Sequence, residues 1–227
     1  MYRGQARYGR DPHIVNRAQP QTFKAPLRWY MSTFSQSLVF TCSWSDSFHP
    51  DADDWRDDAW DIIRSPNLTF QILTKRPELI ADRLPNDWGP DGYPNVWLGV
   101  SVENPMFSWR VEKLLEVSAR VRFISDGPLL SGVDFKAHLA TKGIGWVIVG
   151  GESGSRPHHP PRPMKLEWAQ SLSDQCIESG VSYLFKQWGG RLPGGTELLD
   201  GRTWRELPVL SADINLQDQQ SSAINHL

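Results

Sequence analysis

The chain has 227 residues, enough for one large domain with a proper core. Hydrophobic residues make up 39%, and the formal charge of -2 argues against a broad, undirected phosphate-binding surface while leaving local basic patches open. No run of about 20 apolar residues and no signal-peptide core is present, so the expectation is a cytoplasmic protein with no membrane partner.

Residues 1–30 carry Arg3, Arg7, Arg10, Arg17, Lys24 and Arg28 but no clear periodicity, and read as a basic, poorly structured lead-in. A single domain is expected over 31–211. It opens with a short apolar strand at 37–43 that ends in Ser45-Asp46-Ser47-Phe48-His49-Pro50. Residues 51–64 suit a helix with an acidic first turn, which the helix dipole favours. A strand follows at 69–73, then a short helix at 76–84 begun near Pro77. After a Pro/Gly/Asn-rich loop at 85–95 come a strand at 96–100 and a helix from Asn104 or Pro105 to Ser118. A strand at 121–125 leads into Asp126-Gly127-Pro128, and a short helix carrying His138 is expected near 134–140.

The strand 146–149 is the strongest core candidate and runs into Gly150-Gly151-Glu152-Ser153. Beyond a proline-rich loop at 157–163, residues 165–179 read as a helix with apolar or small residues at 166, 169, 172, 176 and 177, capped by Gly180. The last strand, 181–185, ends in Lys186-Gln187-Trp188-Gly189-Gly190, and 212–227 reads as a disordered tail. Six short, nearly continuous apolar strands alternating with helical segments predict an α/β fold on a parallel sheet. A flat doubly wound sheet and a partial barrel both satisfy that pattern.

In either architecture ligands sit beyond the carboxyl ends of the strands. The candidate site residues are therefore Ser45, Asp46 and His49; Thr74, Lys75 and Arg76; Ser101, Glu103 and Asn104; Ser125 and Asp126; Glu152 and Ser153; and Lys186 and Gln187. Among these, Asp46, Lys75, Glu103, Asp126 and Lys186 are candidates for catalysis. Gly150, Gly151, Glu152, Ser153, Gln187 and Trp188 are candidates for holding a cofactor, and His49, Arg76 and Asn104 for holding substrate. Gly150-Gly151 would let a ligand approach the backbone, with Glu152 accepting from a ribose or amino group. A tight βα turn is the plainer reading. Lys75 and Arg76 suit a carboxylate or phosphate, or else form a solvated basic turn. Asp46 is equally suited to capping a turn. Trp188, one of 11 tryptophans, could stack on a ring or pack structurally.

No dinucleotide or phosphate-loop glycine motif and no nucleophile elbow occurs. His158 and His159 lack the companions that a metal site needs. Cys42 and Cys176 are too few and too far apart for a disulfide scaffold, and read as buried thiols.

Taken together, these stretches resemble the phage Gp37/Gp68 family over roughly residues 22–208. The matching stretches are Phe40 through His49, Phe70 through Pro77, Trp97 through Asn104, Arg122 through Ser125, Trp146 through Ser153, Arg162-Pro163-Met164, Asp174-Gln175-Cys176, Phe185 through Gly190, Asp200-Gly201-Arg202, Trp204 and Glu206-Leu207-Pro208. That resemblance implies a partial (β/α) TIM-like barrel of radical-SAM type. It also implies a three-cysteine loop for a [4Fe–4S] cluster and S-adenosylmethionine in an intact parent. Here that loop is missing, which gives the expectation of an N-terminally truncated or decayed copy with no cofactor of its own. Gly127 also stands where the family usually has a glutamate, with Asp126 a shorter and earlier substitute.

The resulting expectation is an inactive relative of an enzyme that modifies a nucleic acid or small metabolite by radical chemistry. One alternative is a non-catalytic nucleotide or nucleic-acid binding protein using Lys75, Arg76, Lys186 and Trp188. Another is a cluster-independent hydrolase or transferase with Asp46 or Glu152 as base. A missing segment or partner is expected over the open barrel edge.

Overall fold

The computed structural model describes residues 17–32, 37–41, 45–64, 68–154, 160–190, 197–208 and 210. The readings placed on 1–16, Cys42, His158, His159 and 212–227 lie outside those residues. In chain order the elements are α1 (Pro20–Phe23), α2 (Ala25–Ser32), β1 (Ser37–Thr41), a 3₁₀ segment (Pro50–Trp55) and α3 (Arg56–Ile63). Then come β2 (Leu68–Thr74), two 3₁₀ turns (Pro77–Leu79 and Ala81–Arg83), β3 (Val96–Ser101) and a 3₁₀ turn at Pro105–Phe107. These are followed by α4 (Trp109–Leu115), β4 (Val121–Asp126), α5 (Lys136–Ala140) and β5 (Trp146–Gly150). The chain continues through α6 (Leu166–Ser179), β6 (Ser182–Gln187) and a small hairpin of β7 (Leu198–Leu199) and β8 (Arg202–Thr203).

The first six strands form one parallel sheet in strictly sequential order, β1 to β6. Each βα crossover steps to the next strand in the same direction, so the sheet curls into an open half-barrel with helices along its outside. The β6 edge is covered by residues 204–206. There Phe185 N–H donates to the Trp204 carbonyl, Glu206 N–H donates to the Tyr183 carbonyl, and Leu184 bridges antiparallel to Arg205. At the other edge, β1 has β2 as its only strand neighbour among the described residues.

Alternation along each strand sorts side chains onto two faces. The helix side holds the main core, with Phe70, Ile72, Leu98, Val100, Ile124, Val147, Val149, Tyr183 and Phe185 packed against Val111 and Leu114 of α4 and Ala169 and Leu172 of α6. The concave side holds a second cluster of Trp97, Val121, Phe123 and Trp146, flanked by Leu73, Ile148 and Leu184. Trp97 and Trp146 meet edge to face with centroids 5.9 Å apart. Phe123 is paired in register with Gly99, and a Cβ at Gly99 would stand 2.3 Å from the Phe123 ring. Toward the carboxyl ends the concave layer thins to Ser101, Ser125 and Gly150. An aromatic floor therefore lies below a lip of small residues, and the room is left at the end where the strand loops converge.

Several local expectations change. Residues 76–84 form two 3₁₀ turns, because Leu79, Ile80 and Arg83 donate to the carbonyls of Arg76, Pro77 and Ile80, three residues back. The expected helix 51–64 is 3₁₀ up to Trp55 and α only from Arg56. The expected lead-in of 1–30 carries two short helices, the second running on to Ser32. In α6, Leu166 and Ile177 are exposed, and the inner stripe is Ala169, Leu172, Ser173, Gln175 and Cys176. Gln175 is tolerated inside because its Oε1 accepts from Phe135 N–H and its Nε2 donates to the Val133 carbonyl.

Candidate functional site

The strand ends form a continuous rim, held together loop by loop. At the β1–β2 end, Asp46 is 8% exposed and acts as a hub. Its Oδ1 accepts from Phe48 N–H at 3.0 Å and Thr74 Oγ1 at 2.7 Å. Its Oδ2 accepts from Lys75 N–H at 3.0 Å and Arg76 at 3.1 Å. Four donors occupy this carboxylate, so it fastens the loop after β1 to the end of β2. His49 caps the following 3₁₀ segment, its Nδ1 accepting from Asp51 N–H at 3.1 Å. Asn104 does the same for the turn after β3, accepting from Met106 N–H at 2.9 Å.

Glu103 is the second hub. Its carboxylate pairs with Lys75, just past β2, on one oxygen and with Arg110 from α4, at 3.1 Å, on the other. Arg110 also donates to the Ser101 carbonyl at 2.8 Å, so a helix-side residue reaches over the end of β3. The Glu103 carbonyl accepts from Leu130 N–H, and the Gly150 carbonyl accepts from Leu129 N–H, which ties the loop after β4 to its neighbours on both sides.

Glu152 is buried and accepts from the backbone N–H, Nε and NH2 of Arg162 at 2.9, 2.8 and 3.1 Å. Glu152, with a smaller contribution from Glu103, holds the Arg162 guanidinium above its ordinary pKa. The glycines beside Glu152 serve strand packing. Gly151 N–H donates to the Gln187 carbonyl, Gly190 N–H donates to the Glu152 carbonyl, and a Cβ on Gly151 would lie 1.9 Å from the Trp188 carbonyl oxygen. Only a residue without Cβ lets these two loops approach so closely. Gln187 Nε2 donates to the Gly151 carbonyl at 3.1 Å, and Trp188 Nε1 donates to the Leu198 carbonyl at 2.7 Å while its ring packs on Phe185. Ser153 is exposed and bridges to Gly190.

Lys186 shares the concave face with Leu184, and a Cβ on Gly150 would stand 3.3 Å from its Cβ. It is exposed and has no ion-pair or hydrogen-bond partner among the described residues. Lys75, half exposed, extends from the other side of the rim.

Asp126 behaves differently from the rest. It lies on the Ile124 face of β4, toward the helix-side core, and is fully buried with neither carboxylate oxygen hydrogen-bonded. Burial, reinforced by the charge of Glu103, raises its pKa well above the ordinary value. The structure thus gathers Asp46, Lys75, Arg76, Glu103, Glu152, Lys186, Gln187 and Trp188 around the rim, and turns Asp126 inward. Arg110 and Arg162 are the rim residues that the sequence reading missed. A cation at the start of a helix and another in a proline-rich loop carry no local signal of the acid they pair with.

The fold and rim define an open partial β/α barrel with a charged carboxyl-end rim. Within that class the chain belongs to the family described as a protein of unknown function (DUF5131), which it matches over residues 3–208. No curated protein and no solved structure matches the chain. This membership overturns the assignment to the phage Gp37/Gp68 family, and the radical-SAM type attached to it falls as well. Short apolar strands ending in polar clusters are what any partial β/α barrel requires, so those stretches do not separate one family from another. Among the described residues no group of three or more His, Cys, Asp or Glu side chains is placed to hold a metal ion, and no helix is long and apolar enough to cross a membrane.

Proposed function

We propose that this chain is a binding protein for a nucleotide or nucleic acid, which it engages at the carboxyl-end rim. The observation that supports this most is the balance of charge there. Lys75, Arg76, Arg110, Arg162 and Lys186 gather around three carboxylates, Asp46, Glu103 and Glu152, while Asp126 is buried away from the rim with its pKa raised. The surplus falls on Lys186 and on the two cations that share Glu103. An excess of cations over a concave, partly apolar surface attracts phosphate even in a chain with a formal charge of -2.

The test is a titration of the purified chain with a labelled oligonucleotide at about 50 and 200 mM salt. Affinity should fall as salt rises, and Lys186→Ala should weaken binding severalfold at the lower salt. Absence of saturable binding at about 50 mM salt would sink the reading.

A further inference from the structure

The rim carries an apolar surface beside its cations. Met106 is 81% exposed and Trp109 41% exposed, both at the junction of β3 and α4. The fold leaves Met106 largely, and Trp109 partly, in water. Trp109 and its neighbour Phe107 are also held in place. The Arg110 guanidinium lies 4.1 Å from the Phe107 ring centroid and 5.9 Å from that of Trp109, and its NH1 is anchored by Glu103 and the Ser101 carbonyl. Glu103 in turn grips Lys75. The partly exposed Trp109 indole and the half-exposed Lys75 are therefore linked through the buried Arg110–Glu103 pair, from the start of α4 to the end of β2.

The geometry points to single-stranded nucleic acid as the ligand class, with Met106 and Trp109 forming a platform on which bases stack and Lys75 and Lys186 taking backbone phosphates. This inference rests on the reading of the rim as a nucleotide or nucleic-acid site. Aromatic faces accept any base, but only a base whose face is free, and a duplex hides its faces within the stack. Length favours a polymer over a mononucleotide. Three strand intervals separate the ends of β3 and β6, about 14 Å along the sheet at roughly 4.8 Å per interval, so engaging Lys186 as well as the platform takes more than one nucleotide, whereas Lys75 stands one interval away.

The experiment is fluorescence anisotropy of the full chain with end-labelled single-stranded oligo(dT) and oligo(U) of about 12 nucleotides, a duplex of equal length, and inorganic polyphosphate as competitor. Anisotropy is preferred to intrinsic fluorescence because the chain has 11 tryptophans. Trp109→Ala should weaken single-strand binding on the order of tenfold, and Trp109→Phe should restore most of it. Displacement by polyphosphate of whatever oligonucleotide remains bound should respond to Lys186→Ala and not to Trp109→Ala. Three results would overturn the proposal while leaving the rim as an anion site: single strands bind with Trp109→Ala unaffected, the duplex binds as tightly as the single strand, or polyphosphate alone binds. No binding of any anion would remove both readings at once. The exposure of Trp109 makes a folding defect in its variants unexpected, and the Lys186→Ala arm tests the same ligand without touching the platform.

Discussion

The carboxylate that follows β1 is surrounded by donors, and the carboxylate that ends β4 has none. Asp46 receives four hydrogen bonds, one of them from a guanidinium, and holds two strand ends together. Asp126 is as deeply placed as the core around it and receives no hydrogen bond. Both stand at the same end of one parallel sheet, so position in the fold alone does not decide what an acid does. The donors within reach decide it: Asp46 is fully engaged by hydrogen bonds, while the pKa of Asp126 is pushed up because nothing replaces the water it lost.

The sharpest way to break this comparison is Asp46→Ala. Removing the shared acceptor leaves Thr74 Oγ1, two backbone N–H groups and the Arg76 guanidinium without it. Stability should fall by about 3–5 kcal/mol in urea denaturation. A loss below about 1 kcal/mol would mean that water replaces the hub.

Asp126→Asn should act in the opposite direction. Because the folded-state pKa of Asp126 is raised, the folded chain holds a proton that the unfolded chain releases above its ordinary value of 3.8. Folding stability therefore declines as pH rises from that point until the folded group itself ionises, with a slope of up to about 1.4 kcal/mol per pH unit. The asparagine variant loses this slope, so its advantage over the native chain should widen as pH rises above the ordinary value of 3.8, until Asp126 ionises in the fold. Parallel urea curves for the two chains across that range would show that Asp126 is ionised in the fold.

Arg162→Ala takes two side-chain donors from Glu152, but the arginine is half exposed and screened, so the cost should be about 1 kcal/mol. Glu152 keeps the Arg162 backbone N–H, which alanine still supplies. The smallest effect is expected from Thr74→Val, which removes one of the four bonds to Asp46 and should cost about 1 kcal/mol or less, measured by thermal melting. A loss as large as that of Asp46→Ala would place the weight of the hub on this single hydroxyl.

Much of the rim was legible in the chain, because parallel strands end in loops and polar residues gather there. Lys75, Glu103, Glu152 and Lys186 could be nominated from that pattern alone. Their pairings could not. Lys75 and Glu103 are 28 residues apart, and Arg110 joins them only because α4 lies against β3. The role of Gly150-Gly151 was also hidden, since the loop that crowds them arrives from β6, more than 30 residues later.

By itself the sequence determined the order of strands and helices, the location of the polar ends and the parallel α/β class. Apolar runs of strand length and turn-forming residues are local properties, and local properties survive without a fold. Tertiary structure alone decided that the sheet curls into an open half-barrel with an aromatic floor. It also decided that Asp46 and Glu103 became hubs and that Asp126 turned inward. A shift of one residue along a strand reverses the face on which a side chain emerges, and burial then fixes its charge. Neither the face nor the surroundings is written in the residue's own neighbourhood.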